Sequence, residues 1–324
     1  MTTFFLNRLA TEPHALAFAG QSTPWPVALA DQTTDPSLDE ALRGHVAAAG
    51  RLLTPVAADL LATTGRPVDL FGFAPNPARL GAAADATASV EGVALTQLGA
   101  LLDLEHLGYS VAQAKPLAVL GHSQGVLAVH MTRAIEAAGS IEAAGTTLDE
   151  ILAVAALIGA AGTRRVRELG LNPKYGEASP MLSVKGATRA QVEALVARVN
   201  NARGPISIAV TNSDNHHVLS GYPEDLAAFA LEAEREHQHQ AKLREQKLHG
   251  GTVFNPTLEY LEVTLPFHSP LMADAVEQTV AWAGACGFDQ KRTRALAEEV
   301  LLNHVDWNAR VKALFDDADP SKLW

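Results

Sequence analysis

One segment narrows the possible folds more than any other. Residues 116–121, Pro-Leu-Ala-Val-Leu-Gly, make an apolar run of strand length, residues 126–138 read as a helix, and Gly121-His122-Ser123-Gln124-Gly125 joins them. A strand that reverses into a helix so abruptly leaves no room for a Cβ two positions either side of the turning residue, which explains both glycines. The same turn holds Ser123 out of the core and aims the first N–H groups of the helix at an oxyanion forming beside it. An α/β chain is expected, with Ser123 as a nucleophile in preference to an idle turn serine.

The rest of the chain fits an α/β reading. Residues 14–20, HALAFAG, form a second apolar run ending in a glycine turn, and amphipathic helical patterns cover 38–62 and 90–108. Strand, helices, strand, helix implies a parallel sheet. From about Pro180 the pattern changes to MLSVKG, a helix over TRAQVEALVARVN, ISIAVTNS, HHVLSG, a helix opening at PEDLAAFALEAE, and LEYLEVTLP. That βαββαβ order predicts a ferredoxin-like unit inserted over 178–262, with 1–177 plus 263–324 forming the larger part and the cleft between them as the expected site. A chain of 324 residues accommodates both units.

Charge limits the partners. Lys and Arg number 25 against 36 Asp and Glu, a formal charge of −11, which argues against nucleic acid and an anionic membrane surface. Cys286 is the single cysteine, so no intrachain disulfide and no cysteine-based metal site is expected. The amino-terminal stretch lacks a basic start followed by an apolar run, and no stretch reaches about 18 uninterrupted apolar residues. A soluble, cytoplasmic protein is expected.

A serine hydroxyl needs a base, and the chain has 12 histidines. His216 and His217 are adjacent in a predicted strand and face opposite sides, so they cannot act together on one atom. His237, His239 and His249 fall in a charged stretch that reads as a solvated face. His268 follows an apolar strand and a proline at a strand-to-loop exit, where catalytic groups of α/β proteins sit; a core or capping histidine is the other reading.

The motifs GHSQG (121–125), FAGQSTPW (18–25), NSDNHHVLSG (212–221), LPFHSPLM (265–272) and NHVDW (303–307), in this order, resemble the malonyl-CoA:acyl carrier protein transacylase family. GHSQG with VEGVALTQLGALL before it is most similar to the acetyltransferase domain of actinobacterial and fungal type I fatty acid synthases. The resemblance implies an α/β-hydrolase-like parallel-sheet subdomain carrying the ferredoxin-like insertion. It also implies a ping-pong transfer of acetyl from acetyl-CoA, through an ester on Ser123, to the phosphopantetheine thiol of an acyl carrier protein, priming fatty acid synthesis. No permanently bound cofactor and no metal are implied, and the partners would be acyl-CoA, a carrier protein domain and other domains of a synthase.

Carried over by motif, Ser123 matches the nucleophile and His268 the histidine that activates it. Gln21 and Gln124 match the two residues whose main-chain N–H groups form the oxyanion hole. Asn212 matches an asparagine lining the cleft, and Asn303 one whose main-chain carbonyl orients the histidine.

Three departures stand out. Ser22 occupies a position that is usually glycine, which would strain the loop if φ is positive there. The sequence ends at DDADPSKLW, where relatives continue into another strand. Ile158 falls where malonyl-specific members carry a carboxylate-binding arginine, which favours an uncharged acyl group. Arg164 lies about 120° round the helix from it and Arg165 about 10 Å further along, so neither easily substitutes. The alternatives are a malonyl- or palmitoyl-type transacylase, a serine hydrolase or thioesterase using Asp214 or Asp225 as its acid, and a non-catalytic synthase module.

Overall fold

Two sheets of different kinds organise the chain. The computed structural model describes residues 12–21, 24–65, 67–72, 85–114, 116–171, 178–200, 205–246 and 253–317. β1 (Ala15–Phe18) pairs in parallel with β2 (Ala118–Gly121), with Ala15 opposite Ala118 and Phe18 opposite Gly121. These are the two apolar runs that lead into the glycine turns. Among the described residues they are the whole of this sheet. The two strands run in parallel, as the order strand, helices, strand, helix implies, and pack among helices.

Those helices begin with α1 (Trp25–Gln32), α2 (Pro36–Leu52) and α3 (Ala57–Thr64). The helix expected over 38–62 is thus two helices, bent by 55° at a short turn over Thr54–Val56. Pro55 supplies no N–H there and its ring crowds the preceding turn, which is why amphipathic spacing alone misplaces the boundary. α4 (Ala86–His106) starts earlier than its apolar pattern because the Asp85 carboxylate caps it, accepting from the Thr87 N–H.

α5 (Val126–Ala138) follows the serine turn and stops at Gly139, whose φ is +82°. α6 (Ile141–Glu168) is capped by Ser140 and is long and apolar enough to cross a membrane, yet 61% of its apolar window is buried inside the fold. It packs against α2, α4 and α5.

The second sheet contains β3 (Met181–Lys185), β4 (Ser207–Ser213), β5 (His216–Ser220), β6 (Thr257–Tyr260) and β7 (Val305–Asp306), in the spatial order β6-β3-β5-β4-β7. β6, β3, β5 and β4 run antiparallel, each to the next. One face is covered by α7 (Arg189–Asn200) and α8 (Pro223–Glu245), where Leu182, Val184, Val192, Leu219, Leu226 and Phe229 form a separate apolar core. The alternating residues Met181, Ser183 and Lys185 face the other way.

β7 departs from the expected division. It belongs to the segment after residue 263, but it pairs in parallel with β4, Val210 opposite Val305. The carboxyl-terminal segment therefore does not return wholly to the larger part; it lends a fifth strand to the sheet of the smaller one. The remaining helices are α9 (Ala273–Ala285), which packs on α6, α10 (Gln290–Leu301) and α11 (Trp307–Asp317).

Candidate active site

The turn at Ser123 is as tight as its glycines require. A Cβ built on Gly121 would lie 2.4 Å from the Val126 nitrogen, and one on Gly125 would lie 2.3 Å from the Phe18 carbonyl oxygen. Both obstacles are main chain and cannot swing aside. Gly125→Ala is accordingly expected to cost about 3 kcal/mol or more of stability. Thermal unfolding followed by circular dichroism measures this, and an unchanged midpoint would contradict the close approach.

Ser123 itself has φ of +53° and His268 φ of +56°, and among the described residues these are the two non-glycine positions with positive φ. A left-handed conformation costs an ordinary side chain roughly 1–2 kcal/mol, and such residues concentrate at functional sites. The two strained residues face each other: Ser123 Oγ lies 2.7 Å from His268 Nε2. On the far side of the ring, Nδ1 donates to the Asn303 main-chain carbonyl at 2.8 Å. A carbonyl only accepts, so the proton sits on Nδ1 and the Nε2 lone pair is turned to the serine. His268 is 2% exposed, and burial drives its pKa from 6.5 down to about 4, partly offset by the Asn303 bond. The imidazole is neutral near pH 7 and accepts a hydrogen bond from the hydroxyl.

The neighbouring residues tie the turn to both parts of the chain. His122 Nε2 donates to Asn212 Oδ1 at 2.7 Å, and its ring meets Trp307 edge-on. Arg310 donates to the Gly121 carbonyl at 3.1 Å. Gln21 Nε2 donates to Gln124 Oε1, and Gln124 Nε2 to the Val90 carbonyl, so the loop after β1, the serine turn and α4 are joined through two amide side chains. Ser22 and the stretch 318–324 lie outside the described residues.

A cavity of about 200 Å³ opens over Ser123 and His268. Its apolar lining includes Met181, Val210, Val218, Leu261, Val263 and Phe267. Gln21 and Asn212 also line it. Ile158 does not. It is fully buried in the helical core on α6, so the expected direct contact with an acyl group is corrected: the apolar wall comes from the second sheet and the loop before His268. Arg164 is bound to Glu168 and Gln278, and Arg165 to the Leu271 carbonyl and Asp274, so neither takes the missing arginine's place.

The two acids weighed for a hydrolase triad are also elsewhere. Asp214 is an exposed acceptor for Lys312 at 2.9 Å and Asn308 at 2.7 Å, and Asp225 is buried in the first turn of α8.

Residues 180–260 match the model of the fatty acid synthase central AT domain. That part of the chain is similar to the central acyltransferase domain of fatty acid synthases. Fatty acid synthase 2 of Mycosarcoma maydis is 30% identical over 168 residues, 48% of this chain and 4% of that protein. Fatty acid synthase beta subunit TOXC of Cochliobolus carbonum is 29% identical over 163 residues, 46% of this chain. The match spans only 8% of that subunit. In three dimensions the chain has the fold of the malonyl CoA-acyl carrier protein transacylase of Coxiella burnetii, with a TM-score of 0.61 at 17% identity over 94% of this chain and 84% of that one.

Sequence reasoning missed three residues at the site. His122 had its signal within the serine motif itself. Arg310 had none, because its contact with Gly121 spans 189 positions. His216 was discounted together with His217, yet the alternation that separates them places His216 on the cavity and His217 fully buried on the opposite face.

Proposed function

We propose that the chain transfers an acetyl group from acetyl-CoA to the phosphopantetheine thiol of an acyl carrier protein, as the priming step of fatty acid synthesis in a cytoplasmic synthase. The observation that carries this reading is the Ser123–His268–Asn303 relay, in which a main-chain carbonyl stands where a hydrolase triad has a carboxylate. In the first half-reaction, Ser123 Oγ attacks the thioester carbonyl as its proton passes to His268 Nε2. The main-chain N–H groups of Gln21 and Gln124 stabilise the oxyanion. Collapse expels CoA thiolate, which takes the proton from His268. In the second half-reaction the carrier's thiol gives its proton to His268 and attacks the Ser123 ester, and Ser123 recovers its proton as it leaves. Residues 178–262, with β7 added to their sheet, act as a ferredoxin-like cover to an α/β-hydrolase-like base formed by 1–177 and the rest of 263–324.

Acetyl is favoured over malonyl by the apolar wall. Among the described residues lining the cavity, Lys185 is the cation besides the histidines, and it is already paired with Glu259 at 3.1 Å. A malonyl carboxylate beside Ser123 would lose water without gaining a fixed partner. Acetyl-CoA is expected to load Ser123 at least about tenfold faster than malonyl-CoA, each 1.4 kcal/mol of unpaired desolvation being worth a factor of ten. Intact-protein mass spectrometry after brief exposure to each thioester measures it; equal loading would remove the acetyl preference and leave a transacylase.

A further inference from the structure

The cavity continues away from Ser123 along a polar row that acyl transfer itself does not use. Asn212 on β4, His216 on β5 and Lys185 on β3 all line it, and Lys185 stands opposite His216 in the strand register. β4 and β3 flank β5, so two strand spacings separate Asn212 from Lys185, about 10 Å. The row starts at the serine turn, because Asn212 holds His122. It ends at the mouth, where the Lys185 and Glu259 side chains are 49% and 62% exposed. One step along the strands, Ser183 shares a 3.0 Å hydrogen bond with His216.

The two substrates of the proposed reaction share one feature of matching shape. A pantetheine arm has thirteen backbone bonds between sulfur and phosphorus, and at three bonds and about 3.5 Å per peptide-sized unit it reaches ~15 Å. A thiol at Ser123 therefore puts two amides over the middle of this row and a phosphate near its outer end. A three-carbon acyl group is too short to reach it.

We propose that Ser183 and His216 bind the amide groups of the pantetheine arm, and that Lys185 at the cavity mouth binds its phosphate, with Glu259 competing for that lysine. The proposal rests on the acyltransferase reading and adds the residues that recognise the arm. Burial, reinforced by Lys185, holds the His216 pKa below its ordinary value. The neutral ring both donates and accepts, as a pair of amides requires. The Lys185–Glu259 pair is exposed and contributes little to stability, so variants at either position are expected to fold.

Opposite signs make the test sharp. Lys185→Ala is expected to raise the KM for acetyl-CoA about fivefold or more with kcat retained, and Glu259→Gln to lower it two- to fivefold by freeing the lysine and removing a like charge. With S-acetylpantetheine, which lacks the phosphate, both variants should match the wild type. His216→Ala should raise KM for acetyl-CoA and S-acetylpantetheine alike, and by a smaller factor for the S-acetyl thioester of N-acetylcysteamine, which keeps only the amide nearer the sulfur. Running the Lys185 and Glu259 variants in the second half-reaction, with carrier protein and with free pantetheine as acceptors, distinguishes the arm on CoA from the arm on the carrier.

If Lys185→Ala and Glu259→Gln shift KM in the same direction, or act equally on phosphorylated and unphosphorylated thioesters, the lysine is not a phosphate ligand. Equilibrium binding of CoA to the Ser123→Ala chain gives a second readout that needs no turnover. There, loss of CoA affinity in Lys185→Ala supports the site, and unchanged affinity rejects it. Absence of an acyl-enzyme from every thioester would overturn the acyltransferase reading and is separately visible.

Discussion

Replacing Ser123 by alanine is expected to abolish the acyl-enzyme. The native chain, exposed to acetyl-CoA, should gain the mass of one acetyl group on the peptide that contains residues 121–125, and Ser123→Ala should gain none. The expectation follows from four features that meet at one atom. The hydroxyl sits on a turn closed by main-chain contacts at Gly121 and Gly125, it is held at φ of +53°, it is 2.7 Å from a neutral imidazole, and it opens on a cavity. Loss of a nucleophile that works as a unit with its base lowers turnover by roughly 10⁴-fold or more. A variant that still forms a stable ester from acetyl-CoA would move the nucleophile elsewhere and undo the proposed mechanism.

The second large effect is at His268. His268→Ala is expected to slow acylation by about 10²–10⁴-fold, the contribution of a positioned general base, while leaving thioester binding in place. Asn303→Ala should do far less, because the group that fixes the tautomer is a main-chain carbonyl.

The pH profile separates this histidine from an exposed one. Its pKa of about 4 means that the imidazole remains a base well below pH 6.5, so the acylation rate of the native chain should hold nearly level from pH 7 to about pH 5 and fall as pH approaches 4. An ordinary histidine would give a fall centred near pH 6.5. The same shift has a stability consequence of fixed sign. Between pH 6.5 and about 4 the unfolded chain binds a proton that the folded chain does not, so the contribution is fully present above pH 6.5 and is lost as pH falls through about 4. Its size is about 3 kcal/mol at one pKa unit per 1.36 kcal/mol. Urea unfolding at pH 7 and pH 4.5 should show a smaller loss of stability in His268→Gln than in the native chain.

What the sequence determined by itself is what short-range geometry dictates. The strand, turn and helix around Ser123 are legible because Gly121 and Gly125 meet obstacles only a few residues away or on the adjacent β1. The alternation in β3 and β5 is legible because side chains on a strand must change sides at each step, and it separates His216 from His217 correctly. The motif order, read as a resemblance, also named Gln21, Asn212, His268 and Asn303, and the fold gathers all four around the serine.

Tertiary structure decided what depends on distant neighbours. Only packing shows that Ile158 is inside the core of α6 and that the cavity wall is built from β3, β4 and β5, because a helix pattern gives the apolar face without saying what covers it. The pairing of β7 with β4 joins residues 95 positions apart, and the Arg310 bond to Gly121 joins residues 189 apart. Neither contact leaves a periodicity in the chain. The depressed pKa of His268 is likewise a property of the fold, since desolvation by side chains from remote segments is its largest cause and the sequence alone supplies only an imidazole.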